Sequence, residues 1–254
     1  RFKTLHHERA LMKAFLRYCV RMSLINSLPD ITAFSKHHSA IEKTKQRGAA
    51  FSAEELAICF KILRNRHDFS GINQMEPYYA NALYVYCLVL FLSAARAGEV
   101  RQLKVGDIEY RDDAAVITIR SETSKVKKQR RTAIPKSAAD ILVKFIKWSD
   151  DRRPPGGNVF YNFNHPAKEV KYINQTFKRL MTEAGIYEND SGTIRPVSSL
   201  RNTAITLMSD KVNQAFLVAI AGTSARMVTQ HYHDRRAEKF ASFTEELAEV
   251  LVAG

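Results

Sequence analysis

Cysteine is scarce: Cys19, Cys59 and Cys87 are three in 254 residues, far apart and set in apolar stretches. An odd number at such spacing argues against a disulfide framework and against a thiolate metal site, so the three read as buried thiols in a reducing, cytoplasmic compartment. Long apolar runs are missing too. The longest, Ala82 to Leu92, falls short of the about 20 residues that cross a bilayer. No secretory leader is visible, and a chain opening on Arg1 rather than methionine is expected to lack upstream sequence. No helix shows the basic and aromatic pattern of an interfacial membrane anchor. No phosphate-cradling glycine loop, dinucleotide fingerprint or metal-ligand cluster appears, so no cofactor and no metal is expected. An aromatic RNP-type motif is absent, which disfavours an RNA-binding module.

Acidic charge is the other shortage. Asp and Glu number 26 against 39 Lys and Arg, a formal charge of +13, and the sequence pI is near 9.7. That field favours a polyanionic partner, with nucleic acid first and no membrane expected.

From Leu5 to about Ser23, Leu11, Phe15, Tyr18 and Met22 recur at helical spacing, while Arg9, Lys13, Arg17 and Arg21 step by four along another side. The basic stripe is either a solvated surface or a face that tracks DNA phosphates. Ser35 to Arg47 is polar, basic and aperiodic, and reads as a linker. Ser52 with Glu55 forms a capping box that opens the next domain. The stretch from about Pro77 to Ala94 is apolar all round and predicts a buried helix. Arg96 follows that helix and needs an anion, which is either Glu99 in a structural ion pair or a ligand.

Ala115 to Ile119 alternates as a strand, and Arg131 to Pro135 predicts a second, joined by a basic turn. Arg120, Lys125, Lys127, Lys128, Arg130 and Arg131 make this the densest positive patch in the chain. Ser137 to Trp148 predicts a helix, broken by Arg152 to Gly157. Lys171 to Ala184 predicts another, with Lys171, Lys178 and Arg179 available to backbone phosphates.

The stretch from Arg195 to Arg235 predicts three helices. The first opens at Ser198 or Ser199, whose hydroxyls can cap its first turn, where Arg201 lies. The second, through Phe216 to Ile220, closes at Gly222 as a left-handed terminal residue. Ser224 can cap the third, which carries Tyr232 between His231 and His233, ahead of Arg235 and Arg236.

Ser198-Ser199-Leu200-Arg201-Asn202, then Ala221-Gly222-Thr223, then Tyr232 nine residues after Thr223, resemble the closing motifs of the tyrosine site-specific recombinases, the phage-type integrases. That family has His-x-Leu-Arg-His, then Leu-Gly-His, then a nucleophilic tyrosine nine residues on. The arginine and the tyrosine match, whereas Ser198 and Thr223 stand at the two histidine positions. Ala94-Ala95-Arg96-Ala97-Gly98-Glu99-Val100, with Asp107 downstream, resembles the family's Gly-Leu-Arg-x-x-Glu-Leu segment.

The resemblance implies a mainly α fold with a small antiparallel β-sheet (α+β), the integrase-like catalytic domain. It implies residues 1–47 as the C-terminal part of a helical core-binding domain plus linker, and 48–254 as the catalytic domain. Tyr232 would be the nucleophile, Arg96 and Arg201 would grip the phosphate, and Glu99 would steady the site. Lys125, with Lys127 as alternative, would be the general acid. Arg9, Lys13, Arg17, Arg21, Lys127, Lys128, Arg130, Arg131 and Lys178 are the expected contacts to double-stranded DNA. Phe240, Phe243, Leu247, Val250 and Leu251 form one face of a terminal helix over 235–252. It packs on its own domain or, as the resemblance implies, on a neighbouring protomer in a tetrameric synapse. The expected activity is DNA cleavage and rejoining through a 3′-phosphotyrosine, for a phage or mobile element. The alternatives are a catalytically weakened or inactive DNA-binding relative and a type IB topoisomerase-like enzyme.

Overall fold

A computed structural model describes residues 2–28, 48–71, 74–125, 127–209 and 211–223, with side chains from Ala10 onward. The chain divides into two compact units, Arg1–Gln46 and Arg47–Gly254. In the first, helix α1 spans Phe2–Arg21. Lys13, Arg17 and Arg21 are exposed along it. So are Leu11, Phe15, Tyr18 and Met22, with Phe15 62% exposed. Arg21 lies 5.8 Å from the centre of the Tyr18 ring.

The second unit is built around one apolar helix. Helix α2, Ala53–Arg64, opens on the capping box: Ser52 Oγ accepts from the Glu55 N–H while the Glu55 carboxylate accepts from the Ser52 N–H at 2.8 Å. Helix α3, Met75–Leu92, has no polar face, and Asn81 through Leu92 are buried without a break. It therefore runs through the middle of the unit and packs against α2, the β-sheet and the helices that follow. Asn81, buried among them, satisfies its amide by bridging the N–H and C=O of Asp68, each at 2.7 Å. Among the described residues no helix is long and apolar enough to cross a membrane.

A short helix α4, Ala97–Arg101, follows α3. Strands β1 (Ile108–Tyr110), β2 (Ala114–Ile119) and β3 (Arg130–Pro135) then form an antiparallel sheet in that order. Ile117 pairs with both Ile108 and Thr132, which fixes the register. Ala115, Ile117 and Ile119 face inward from β2, and Thr132 and Ile134 from β3, toward helix α5, Lys136–Trp148. Burying each large side chain of this kind stabilises the unit by about 1.5–3 kcal/mol.

Strands β4 (Tyr161–Asn162) and β5 (His165–Glu169) make a small second sheet ahead of α6, Ile173–Glu183. The Tyr78 hydroxyl accepts from the Tyr161 N–H at 2.8 Å and donates to the Tyr161 carbonyl at 2.9 Å, tying α3 to β4. The last described elements are α7, Ser199–Met208, and α8, Gln214–Ala221.

The helix boundaries predicted near Pro77, Ser137 and Lys171 lie within a few residues of those observed. β1, β4 and β5 were not predicted. The expected hydroxyl caps of α7 are absent. Ser198 makes no side-chain capping bond, and Ser199 Oγ is buried without a hydrogen-bond partner among the described residues. The turn before the helix replaces them, because the carbonyls of Pro196 and Val197 accept from the N–H groups of Ser199 and Leu200.

Candidate phosphate-binding arginine cluster

Arg96 leaves α3 through a tight turn. Ala94 sits in the left-handed region at φ 48, and the Ser93 hydroxyl bonds back to the Val89 carbonyl at 2.6 Å and accepts from the Ala95 N–H at 3.2 Å. The Ser93 carbonyl in turn accepts from Thr132 Oγ1 on β3 at 2.9 Å. On the far side of Arg96, the Tyr86 hydroxyl donates to the Ala97 carbonyl at 2.6 Å. The backbone around this arginine is thus fixed from α3 and from the sheet.

Glu99 lies in the first turn of α4, and its carboxylate accepts from the Arg96 N–H at 2.7 Å and from Arg96 Nη1 at 3.0 Å. Arg130, at the start of β3, reaches the same carboxylate with a fork, Nη1 to Oε1 at 3.0 Å and Nη2 to Oε2 at 2.5 Å. The Glu99 side chain is 1% exposed and that of Arg130 is 8%. Burial pushes the Glu99 carboxyl up, but the bonds and charge of Arg130, with those of Arg96, outweigh it and hold the group below its ordinary value.

These guanidinium groups meet a third at the C-terminal end of α8. Gly222 ends that helix in the left-handed conformation, φ 59 and ψ 44. Its carbonyl accepts from Arg96 Nη2. The preceding carbonyl, of Ala221, accepts from Arg201 Nη2 at 2.8 Å. The one before that, of Ile220, accepts from Arg130 Nε at 2.9 Å. Arg201 also donates through Nη1 to the Ala94 carbonyl. Three consecutive carbonyls therefore each receive a different arginine. A helix C-terminus carries partial negative charge, so gathering cations there is favourable. The Arg96 side chain is the most open of the three at 23% exposed, whereas Arg201 is 8% exposed.

Arg96, Arg201 and Glu99 are thus brought to one place. Ser198 lies exposed just before α7, and Thr223 follows Gly222 half-buried. Lys125, Lys127 and Lys128 are exposed on the β2–β3 turn, with Lys127 at φ 55. Arg131 is exposed and paired with Glu109, which also takes Arg111 at 2.9 Å. Arg120 is drawn out of the basic turn by Asp107 at 3.1 Å and the Gln102 carbonyl at 2.7 Å. Arg130 is drawn inward as described. Lys178 stands over the Tyr187 ring at 5.6 Å.

Tyr232, its neighbours His231 and His233, Arg235, Arg236, Ser224, the terminal helix over 235–252 and the linker through Arg47 lie outside the described residues. Arg9 is on α1, where only the backbone is described.

Sequence reasoning grouped Arg130 with the surface charges and passed over Arg195. The signal for Arg130 was available: period two along β3 puts it on the inner face with Thr132 and Ile134. Arg195 is a buried strut, paired with Glu55 at 2.8 Å and donating to the carbonyls of Ala50, Ile186 and Glu188. Among the described residues no group of three or more His, Cys, Asp or Glu could hold a metal ion.

No curated protein sequence matches this chain. Several solved structures share its fold. The XerH site-specific recombinase bound to difH substrate superposes with a TM-score of 0.60 at 16% identity, over 81% of this chain and 55% of the XerH chain. The Tn1549 transposon integrase in complex with circular intermediate DNA gives 0.61 at 13% identity, over 97% and 79% of the two chains. A lambda integrase dimer bound to a COC' core site gives 0.57 at 14% identity, over 91% and 74%. This chain thus spans little more than half the length of the XerH recombinase. The model of the phage integrase family matches residues 37–239, most of the sequence, and the chain belongs to that family, the tyrosine recombinases.

Proposed function

We propose that the protein cleaves and rejoins double-stranded DNA by phosphoryl transfer, with Arg96 and Arg201 on one phosphodiester and Tyr232 as nucleophile. The observation that carries this reading is the meeting of Arg96 and Arg201, 105 residues apart in sequence, at the adjacent carbonyls of Gly222 and Ala221. A guanidinium can donate to a carbonyl along one edge and to a phosphate oxygen along another, and it stays charged at any working pH.

In the proposed step the Tyr232 phenol oxygen attacks phosphorus in line and the bond to the 5′ oxygen breaks. Arg96 and Arg201 take the charge growing on the non-bridging oxygens. Lys125, or its alternative Lys127, gives its proton to the departing 5′ oxygen, and the phenol proton passes to solvent. The resulting 3′-phosphotyrosine conserves the bond energy, so a 5′-hydroxyl reverses the step. Strand exchange for a phage or mobile element follows when that hydroxyl belongs to another duplex. Assembly on DNA, through the helix over 235–252, belongs to the same proposal, as does the assignment of 1–47 to a core-binding domain with linker and of 48–254 to the catalytic domain. Lys13, Arg17, Arg21, Lys127, Lys128, Arg131 and Lys178, with Arg9, are the proposed backbone contacts.

The second reading is a DNA-binding relative that does not cleave. It is favoured by Ser198 and Thr223, which can donate hydrogen bonds where the family has histidines but cannot serve as bases near neutral pH. A pool of duplexes of randomised sequence, each nicked so that cleavage releases a short strand, tests both. A denaturant-stable protein–DNA adduct whose linked peptide contains Tyr232, and which is lost in Tyr232→Phe, is the expected result. Salt-sensitive binding with no adduct supports the second reading.

A further inference from the structure

Arg130 stands apart from the other cations of the β2–β3 turn. Lys125, Lys127 and Lys128 are exposed, and Arg131 is half-exposed beside Glu109. Arg130 instead lies inside, with three of its nitrogens engaged: Nη1 and Nη2 on Glu99 and Nε on the Ile220 carbonyl. Its guanidinium carbon lies so close over Gly222 that a Cβ there would come within 2.8 Å. It therefore touches the partner of Arg96 at one end and the helix terminus that receives Arg96 at the other.

The charge around Arg96 follows from this. Glu99 is its only ion-pair partner among the described residues. A buried carboxylate bound to Arg96 alone would neutralise it and fold the guanidinium inward. With Arg130 sharing Glu99, two guanidinium groups divide one carboxylate, and the more open of them, Arg96, keeps positive charge for an anion. We propose that Arg130 is a positioning residue for Arg96, sharing Glu99 and clamping the Ile220 carbonyl so that Arg96 stays open and electropositive. This rests on the reading of Arg96 and Arg201 as phosphate ligands. It removes Arg130 from the DNA-backbone contacts.

The test uses the full chain and inorganic phosphate as probe, read from the 15Nε resonances of the arginines, with the 13C carboxyl titration of Glu99 followed in parallel. Arg130→Gln should weaken phosphate binding about tenfold, the worth of one charge-assisted bond, and move the Glu99 titration upward. Arg130→Lys keeps the charge but loses the fork, and should lose only about threefold. Tyr78→Phe, which loosens the core away from the cluster, should leave phosphate affinity unchanged and so separates positioning from general destabilisation. Wild-type affinity in Arg130→Gln overturns the proposal. Should that variant not fold, an unchanged affinity and Glu99 titration in Arg130→Lys overturn it instead. Failure of the wild type to bind phosphate sinks the phosphate-ligand reading, while a Glu99 titration that does not move in either variant sinks the role of Arg130.

Discussion

Arg201 donates to the carbonyl of Ala94, a fully buried residue held at φ 48 two positions before Arg96. The resembled motif has glycine at this position, and glycine is the residue that takes a left-handed backbone without steric cost. An alanine in this conformation costs roughly 1–2 kcal/mol, and a β-branched residue more. Ala94→Gly relieves that strain but loses a buried methyl, worth about 0.8 kcal/mol, and adds chain entropy. The net change in denaturant midpoint should be small. Ala94→Val should lower stability by more than about 2 kcal/mol and weaken DNA binding with it, because the Arg201 acceptor moves.

Glu99 governs the acid limb of stability around the cluster. Its folded carboxyl titrates below the ordinary value of 4.5. The stabilisation it supplies is complete above the unfolded value and is lost as pH falls through the folded one. Glu99→Gln should therefore cost about 3 kcal/mol at neutral pH, as expected for a buried cation left without its anion. Below pH 4 the difference from wild type should shrink. Thermal unfolding across pH 3 to 7 reads both, and a constant gap would contradict this account.

Gly222→Ala meets two obstacles, the φ of 59 and the Arg130 guanidinium 2.8 Å from the new Cβ. A loss of about 2 kcal/mol or more is expected. In the background of Arg130→Ala the steric part should vanish, leaving only the backbone cost. A double-mutant cycle by chemical denaturation measures the coupling.

The candidate general acid and a neighbouring lysine differ in what each loss should do. Lys125→Ala should slow adduct formation by about 10²- to 10⁴-fold. Lys128→Ala should leave that rate unchanged at saturating DNA while weakening binding and flattening its salt dependence. Replacing the 5′ bridging oxygen of the nicked duplex by sulfur, whose thiol pKa lies near 8.5, removes the need for a proton. That substrate should restore the rate of Lys125→Ala. Rescue of Lys127→Ala instead would move the role to Lys127.

On α1, neutralising Lys13, Arg17 and Arg21 together should flatten the slope of log affinity against log salt by about 2–3, close to 0.9 for each phosphate that these cations neutralise. An unchanged slope would make the stripe an ordinary solvated surface.

The sequence is most informative where one local interaction decides the structure. Ser52 and Glu55 cap α2 from positions three apart, and alternation in β2 places Ile117 and Ile119 inward without knowledge of the rest. The unbroken apolarity of α3 is likewise a local property. β1 and β4, of three and two residues, carry too little periodicity to register. The arginine cluster is a different matter. Arg96 and Arg201 were visible through their motifs, but the neighbouring carbonyl acceptors depend on α8 docking beside β3, which joins Arg130 to Ile220 across 90 residues of sequence. Charge density on the turn pointed Arg130 outward, and a single buried carboxylate reversed it.

The end of α8 behaves like a keyed shaft. Its last carbonyls point along the axis without intrahelical partners, and at Ile220, Ala221 and Gly222 each is taken by a different arginine. Turning or sliding the helix by one residue would disengage all of them together. The height and heading of α8 up to Thr223 are consequently set by three residues remote in sequence.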